Sequence, residues 1–261
     1  MSFIDILKNV FSAFSECKKS SLNDKYSIIY NDSPYPDNLN FRRYECTGVF
    51  AETNRKRTRK IEAFTEDDAL EEMKSTGFVE PITVKQIPFD PPSEAQIEAC
   101  RKYHTIIPDK ACKIDVTYIM DREIENDSIP NPDLLRYATE MKITTSYYAG
   151  KRNLYCNIFR SLDLRDKIAF FAFCIYRFLS KDRYGNLNHS PHKDLLYSFA
   201  DTKLSDKSFI TSMNRYSGDQ LRYFGEYRVG NTVYDNGGSK NTTAYKAVLK
   251  FLEEQHLLLV K

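Results

Sequence analysis

Apolar positions in this chain recur in two rhythms, one of three to four residues and one of two, and the switches between them divide it. Phe3, Ile4, Ile6, Leu7, Val10, Phe11 and Phe14 follow the longer rhythm and predict an amphipathic helix within residues 1–16. Its apolar stripe suits docking on the chain's own core, on a partner, or on a membrane surface. Residues 17–41 lose that pattern and turn to Ser, Asn, Asp and Pro, which predicts a linker. Two strands follow, over 44–50 and 60–64, joined by the polar stretch 52–58. Thr65 with Asp68 three positions on marks a helix start, Ala69, Leu70 and Met73 share one face, and Gly77 marks the stop. A third strand over 81–87 completes a β-β-α-β unit across residues 42–90, closed by Pro88, Pro91 and Pro92.

Residues 91–162 then read as two successive helix-loop-helix units. The first carries the cap signal Ser93-Glu94-Ala95-Gln96, a break at Ile106-Ile107-Pro108, and a second helix opening at Lys110-Ala111-Cys112-Lys113. In the second, the corresponding signals are Asn131-Pro132-Asp133, Ile143-Thr144-Thr145 and Gly150-Lys151-Arg152. A shift of 38 positions lays Ala111, Lys113 and Val116 on Ala149, Lys151 and Leu154, a faint internal repeat. The last segment, 163–261, begins with a helix over 164–180 that is apolar on almost every side and therefore predicts a central buried element. Helices near 192–201, 206–214 and 218–223 follow, then a hairpin over 225–235 turning at Gly230-Asn231, and a final helix over 242–257. The expected fold class is α+β: a small β-β-α-β domain followed by a mainly helical domain with one C-terminal β-hairpin.

Composition narrows the class more than the function. With 261 residues, 41% hydrophobic and 28% charged, the chain has material for a buried core and is not of disordered type. Its formal net charge of +2 implies no polyanion partner, so any such argument rests on local clusters. Cys17, Cys46, Cys100, Cys112, Cys156 and Cys174 form no CxxC pair, which points to a reduced, cytoplasmic chain. The longest apolar run, 168–176, falls far short of the roughly 20 residues of a membrane span, and residues 1–14 lack the basic start and small-residue cleavage site of a secretory signal.

The sharpest local feature is basic. Arg42, Arg43, Arg55, Lys56, Arg57, Arg59 and Lys60 lie close together with only Glu45 and Glu52 among them. At a hairpin tip such a cluster suits phosphate contacts through Coulomb attraction and counterion release, or serves as a solvated turn that discourages edge-to-edge strand pairing. No phosphate-loop, dinucleotide, metalloprotease or nucleophile-elbow motif is present, and no cofactor or metal is expected. His189 and His192 could form part of a catalytic site assembled from distant residues, but no third ligand is marked by spacing, and a loop pair capping the next helix is the favoured reading.

Residues 93–124, with Ser93-Glu94-Ala95-Gln96, Ile106-Ile107-Pro108 and Lys110 to Val116, resemble the SAP-type helix-extension-helix motif, and 131–162 is similar to a second copy. That resemblance implies DNA binding through the second-helix starts, which here are Lys110, Lys113, Lys151 and Arg152. Asp115, Asp121, Glu123 and Glu125 are expected to make the later surface of the first unit acidic, so a plain helical packing module is the alternative. Three helices, a hairpin and a helix at the C-terminal end are similar to a winged helix-turn-helix, with Arg215, Arg222 and Arg228 near the third helix and wing. The whole layout resembles accessory proteins of phages and mobile elements. The expected function is therefore DNA binding without catalysis, through Arg55, Lys56, Arg57, Arg59 and Lys60 with the four helix-start cations. A protein-interaction module, such as an inhibitor of a host defence nuclease, is the alternative, and an enzyme site near His189 and His192 is a third reading.

Overall fold

In the computed structural model, residues 38–182, 184–224, 226–229, 231–235 and 239–258 are described. The amphipathic stretch within 1–16 and most of the expected linker lie outside these residues. The order of elements is β1 (Arg42–Phe50), β2 (Arg55–Ala63), α1 (Glu66–Ser75), β3 (Phe78–Ile87), α2 (Glu94–Lys102), α3 (Lys113–Ile124), α4 (Pro132–Glu140), α5 (Lys151–Ser161), α6 (Leu164–Ser180), α7 (Lys193–Lys203), α8 (Lys207–Met213), α9 (Gly218–Tyr223), β4 (Glu226–Val229), β5 (Thr232–Asp235) and α10 (Thr243–Glu254). The fold is mixed α+β, mostly helical, with an antiparallel three-stranded sheet ordered β2-β1-β3 and a separate β4-β5 hairpin. Among the described residues no helix is long and apolar enough to cross a membrane, and the five cysteines found there are unpaired.

The sheet is built by alternation. Tyr44 and Cys46 of β1, Ile61 and Ala63 of β2 and Phe78 of β3 are buried under Ala69 and Met73 of α1, with Phe50, Ile82 and Val84 at the margin. Thr65 and Asp68 cap α1 reciprocally, each accepting from the other's backbone N–H, at 3.1 Å. Gly77 ends it at φ 90, a left-handed conformation that a side chain resists, and lies against the Phe50 ring. Both strands of the first hairpin are longer than the sequence pattern predicts. Pairing runs from Arg42–Ala63 to Phe50–Arg55, so the turn is confined to 51–54.

The helical part is organised on α6. Residues 168–176 are all buried, because the helix is surrounded on every side. Phe171 meets the rings of Phe159, Phe209, Tyr216 and Phe224, and Phe170 stacks on Tyr137 at 5.3 Å with an interplanar angle of 5°. The two helix-loop-helix units occupy different environments. Leu134, Leu135, Tyr137 and Ala138 of α4 and Leu154, Tyr155, Ile158 and Phe159 of α5 belong to the α6 core. The α2–α3 unit has only a small cluster of its own, Cys100, Ala111 and Val116 with Ile107 and Met120 beside it.

A polar knot ties these parts together. Residues 38–41, the end of the expected linker, pack as an extended segment on 143–147: Asn40 donates its side-chain amide to the Ile143 carbonyl at 2.8 Å and accepts from Thr145 N–H at 2.7 Å. Leu39 and Phe41 are buried on either side, which is why this piece behaves as core despite its polar surroundings in sequence. Asp115 of α3 is fully buried rather than part of an acidic surface, and accepts from Ser146 Oγ at 2.7 Å and from its own cap residue Cys112 N–H at 3.1 Å. Asn38 completes the set at 3.5 Å. Burial raises the Asp115 carboxyl above its ordinary range, outweighing those hydrogen bonds, which act to lower it.

Two outcomes follow for stability. Phe171→Ala empties the centre of the aromatic core, and denaturant unfolding should show a loss of about 3–5 kcal/mol. Asp115 binds its proton more tightly folded than unfolded, so its contribution falls as pH rises from the unfolded value of about 3.9. Measured against Asp115→Asn, the wild-type chain should therefore lose relative stability as pH rises above about 4. A difference that is flat with pH would contradict the assignment.

Candidate nucleic-acid interface

Five of the seven cations of the basic cluster lie on one strand, β2, not on a loop tip, and Arg42 and Arg43 open β1. Arg55, Lys56, Arg57, Arg59 and Lys60 are all exposed along β2, an outer strand of the sheet. None is within ion-pair distance of a carboxylate among the described residues. Alternation divides them between two faces. Arg57 and Arg59 share the side of Ile61 and Ala63, where Arg57 lies over the Phe50 ring at 5.0 Å. Arg59 lies over Phe78 at 6.0 Å and donates to Thr76 Oγ1 at 3.1 Å. These contacts are made by the guanidinium groups themselves and hold both side chains along the α1 flank of the sheet. Lys56 and Lys60 stand on the opposite, uncovered face, paired in register with Val49 and Glu45.

At the far end of β2 the charge is moderated. Arg43 bridges Glu62 at 2.9 Å and Asp90 at 2.8 Å, and Glu72 lines the same shallow cleft beside Lys60. Asp90 is held below the usual carboxylate range by its hydrogen bond to Arg43 and by the Arg43 charge, with Lys60 and Lys113 adding to the effect. The Lys113 N–H donates to the Asp90 carbonyl at 2.9 Å, which joins the start of α3 to this end of the sheet. Lys110 occupies the preceding turn, exposed, at φ 63.

The second helix start is differently engaged. Arg152 pairs with Glu125 and, at 3.6 Å, with Asp219. Asp127 accepts from the Arg152 N–H at 2.7 Å and the Asn153 N–H at 3.2 Å, so a carboxylate already sits at the N-terminus of α5. Arg222 of α9 closes the same group on Asp127 at 2.9 Å, with 10% and 3% of the two side chains exposed. Gly150 and Gly218 permit this packing, since a Cβ at either would collide with Asp127 or with the Arg152 carbonyl. Lys151 is half-buried, and desolvation, together with the charges of Arg222 and Arg177, pushes its ammonium below the ordinary lysine range. Of the residues offered for a winged-helix reading, Arg222 is thus committed to ion pairs, Arg215 is exposed, and the Arg228 side chain is outside the described residues.

His189 and His192 serve separate neighbours. His189 Nε2 faces Glu140 at 3.3 Å, a carboxylate that also accepts from Asn186 and Asn188. His192 begins α7 and sets its ring edge-on to Tyr176 at 5.0 Å. Among the described residues no group of three or more His, Cys, Asp or Glu side chains is placed to hold a metal ion. No family model, curated protein or solved structure matches the chain.

The sequence pattern did not single out the uncovered face of the sheet, where β1 and β3 add Glu45, Thr47, Thr83 and Lys85 to the cations of β2. The available signal was the complement of the buried alternation in β1: once Tyr44 and Cys46 point inward, Glu45 and Thr47 must point out. For the second helix start, Lys151→Met keeps the packing methylenes and removes a charge that folding desolvates. The folded chain binds the Lys151 proton less tightly than the unfolded one, so the charge opposes folding at neutral pH. The denaturation midpoint of the variant should rise at neutral pH, with the gain shrinking toward alkaline pH. A loss of stability at neutral pH would show that the charge is paired.

Proposed function

We propose that this chain is a nucleic-acid-binding protein, with DNA as its ligand, that grips phosphates through β2. The observation that carries the reading is the run Arg55, Lys56, Arg57, Arg59 and Lys60, exposed on an outer strand and without a carboxylate partner among the described residues. A strand rises about 3.3 Å per residue, so the run presents charge over roughly 17 Å. Duplex DNA carries one phosphate charge per about 1.7 Å of axis, and a cationic strip of that length meets several phosphates at once. Lys113, whose N–H donates to the Asp90 carbonyl, and Lys110 are exposed at the start of the first unit's second helix, in keeping with the SAP-type resemblance of that unit. Arg57 and Arg59, steadied on Phe50 and Phe78, lose less side-chain freedom on binding than unsupported arginines would.

A protein partner is the second reading. Its support is the pair Tyr103 and Ile106, 56% and 67% exposed at the end of α2 and in the turn that follows. A stable complex formed with a partner protein in the absence of nucleic acid would favour it.

Fluorescence anisotropy across a salt series tests the first reading. Five phosphate contacts give a slope of log K against log salt of about −4 to −5. Joint charge reversal at Arg55, Arg57 and Arg59 should flatten that slope by about three and abolish binding near physiological salt. No binding at low salt, or binding indifferent to the reversal, would refute the reading.

A further inference from the structure

The sheet has one face under α1 and one face open, and the open face has its own composition. Beyond an end row of Glu62, Arg43 and Ile87, whose arginine is paired with Glu62 and Asp90, it presents three rows in register across β2, β1 and β3: Lys60–Glu45–Lys85, Thr58–Thr47–Thr83 and Lys56–Val49–Val79. Thr47 and Thr58 share a hydrogen bond at 2.8 Å, and Thr83 Oγ1 donates to the Thr47 carbonyl at 3.4 Å, so the middle row is a fixed ladder of short hydroxyl side chains. Glu45 is exposed between two lysines, yet forms an ion pair with neither. No aromatic residue occurs in these rows, whereas Tyr44, Phe50 and Phe78 all belong to the side packed with α1.

That distribution discriminates between classes of nucleic acid. Sheets that bind single strands stack bases on aromatic side chains, and this face has no such platform. It offers instead the groups that contact a duplex groove: lysines for phosphates, hydroxyls for either kind of base-edge group, and a carboxylate able to accept from the cytosine N4 amine. Three strands spaced about 4.8 Å apart span roughly 10 Å of backbone, against a major groove about 12 Å wide. Two lysines on the outer strand β2 and one on the outer strand β3 then stand where the groove walls carry phosphates.

We propose that the open face of the β1–β3 sheet is a duplex-DNA reading surface that enters the major groove. Lys56, Lys60 and Lys85 contact backbone phosphates, while Glu45 and the Thr58–Thr47–Thr83 row meet base edges. The inference rests on the reading of β2 as a nucleic-acid contact and extends it to β1 and β3, to double-stranded DNA and to sequence selection. Glu45 weakens attraction to phosphate in general and gains only where a cytosine amine is presented, so its effect is on selectivity.

The test uses the full chain with a labelled duplex pool of randomised sequence and the matching single strands. Wild type should bind duplex at least about tenfold tighter than single strand at equal salt, and should enrich cytosine at one or more positions on selection. Lys85→Ala should lower the salt slope by about one. Glu45→Gln should bind the unselected pool at least as tightly as wild type and lose roughly tenfold or more of the cytosine preference. Both positions are exposed, and an unchanged denaturation midpoint checks that the variants are folded. If Lys85→Ala and Glu45→Gln match wild type while charge reversal on β2 abolishes binding, the open face is not the reader and the β2 reading survives. Tighter binding to single strands, or a wild-type selection without cytosine enrichment, overturns the inference equally. Absence of any DNA binding by wild type removes both.

Discussion

Packing of α1 against a single face of the β1–β3 sheet fixes the pleat, and the rest of the candidate interface depends on that register. Ala69 and Met73 draw Tyr44, Cys46, Ile61, Ala63 and Phe78 to one side, which leaves Glu45, Thr47, Lys56, Thr58, Lys60, Thr83 and Lys85 on the other. A slip of one residue in either pairing would exchange the two sets and bury charge under α1, at a cost the small sheet core could not offset. The shift in pairing between Thr47 and Val49 is placed at Gly48, where a Cβ would come within 3.0 Å of Ile82. The same packing that makes a core therefore makes a polar, cationic outer face. It also leaves β2 as an outer strand whose basic side chains deter pairing with a second sheet.

Whether a basic residue is available to a ligand depends on its local partners. Arg152 and Arg222 look as accessible in sequence as Arg55 and Arg57, yet they are drawn into Glu125, Asp127 and Asp219, where they hold the start of α5 to α9 and to the loop after α3. Removing one member of the Arg222–Asp127 pair would leave a buried charge, so these arginines belong to the architecture. Lys151 adds a desolvated ammonium to the same group. The cations of β2 form no ion pair among the described residues, although Lys60 shares its cleft with Glu62, Glu72 and Asp90, and the partners of Arg57 and Arg59 on the α1 side are aromatic rings and a hydroxyl.

Local signals in the sequence located most elements closely. Thr65 with Asp68, Ser93 with Gln96, Asn131 before Pro132 and Asp163 each start a helix where the residue pattern places one. The apolar run of 164–180 is the buried axis, as its lack of a polar face requires. What the pattern misplaced are features decided by partners far away in the chain. Residues 52–58 look like one polar loop because the start of β2, 55–58, is exposed on both sides, and only its hydrogen bonding to β1 makes that part strand. Asp115 looks like part of an acidic helix face, but Ser146 and Asn38 enclose it from distant positions. The hydrophobic pattern of Leu39 and Phe41 is too short to distinguish from linker without the 143–147 segment that it covers. For the candidate site, the identity of the β2 cations was legible from their density. Their division between two faces, and the contribution of Glu45, Thr83 and Lys85, needed the register.

The most direct test is amide chemical-shift mapping of the chain as duplex DNA is added at low salt. The perturbed amides should trace β2 and the outward positions of β1 and β3, centred on Glu45, Thr47, Thr58 and Lys85, with α6 and the Arg222–Asp127 group unmoved. Perturbations confined to α2, α5 or α9, with the sheet unchanged, would contradict it.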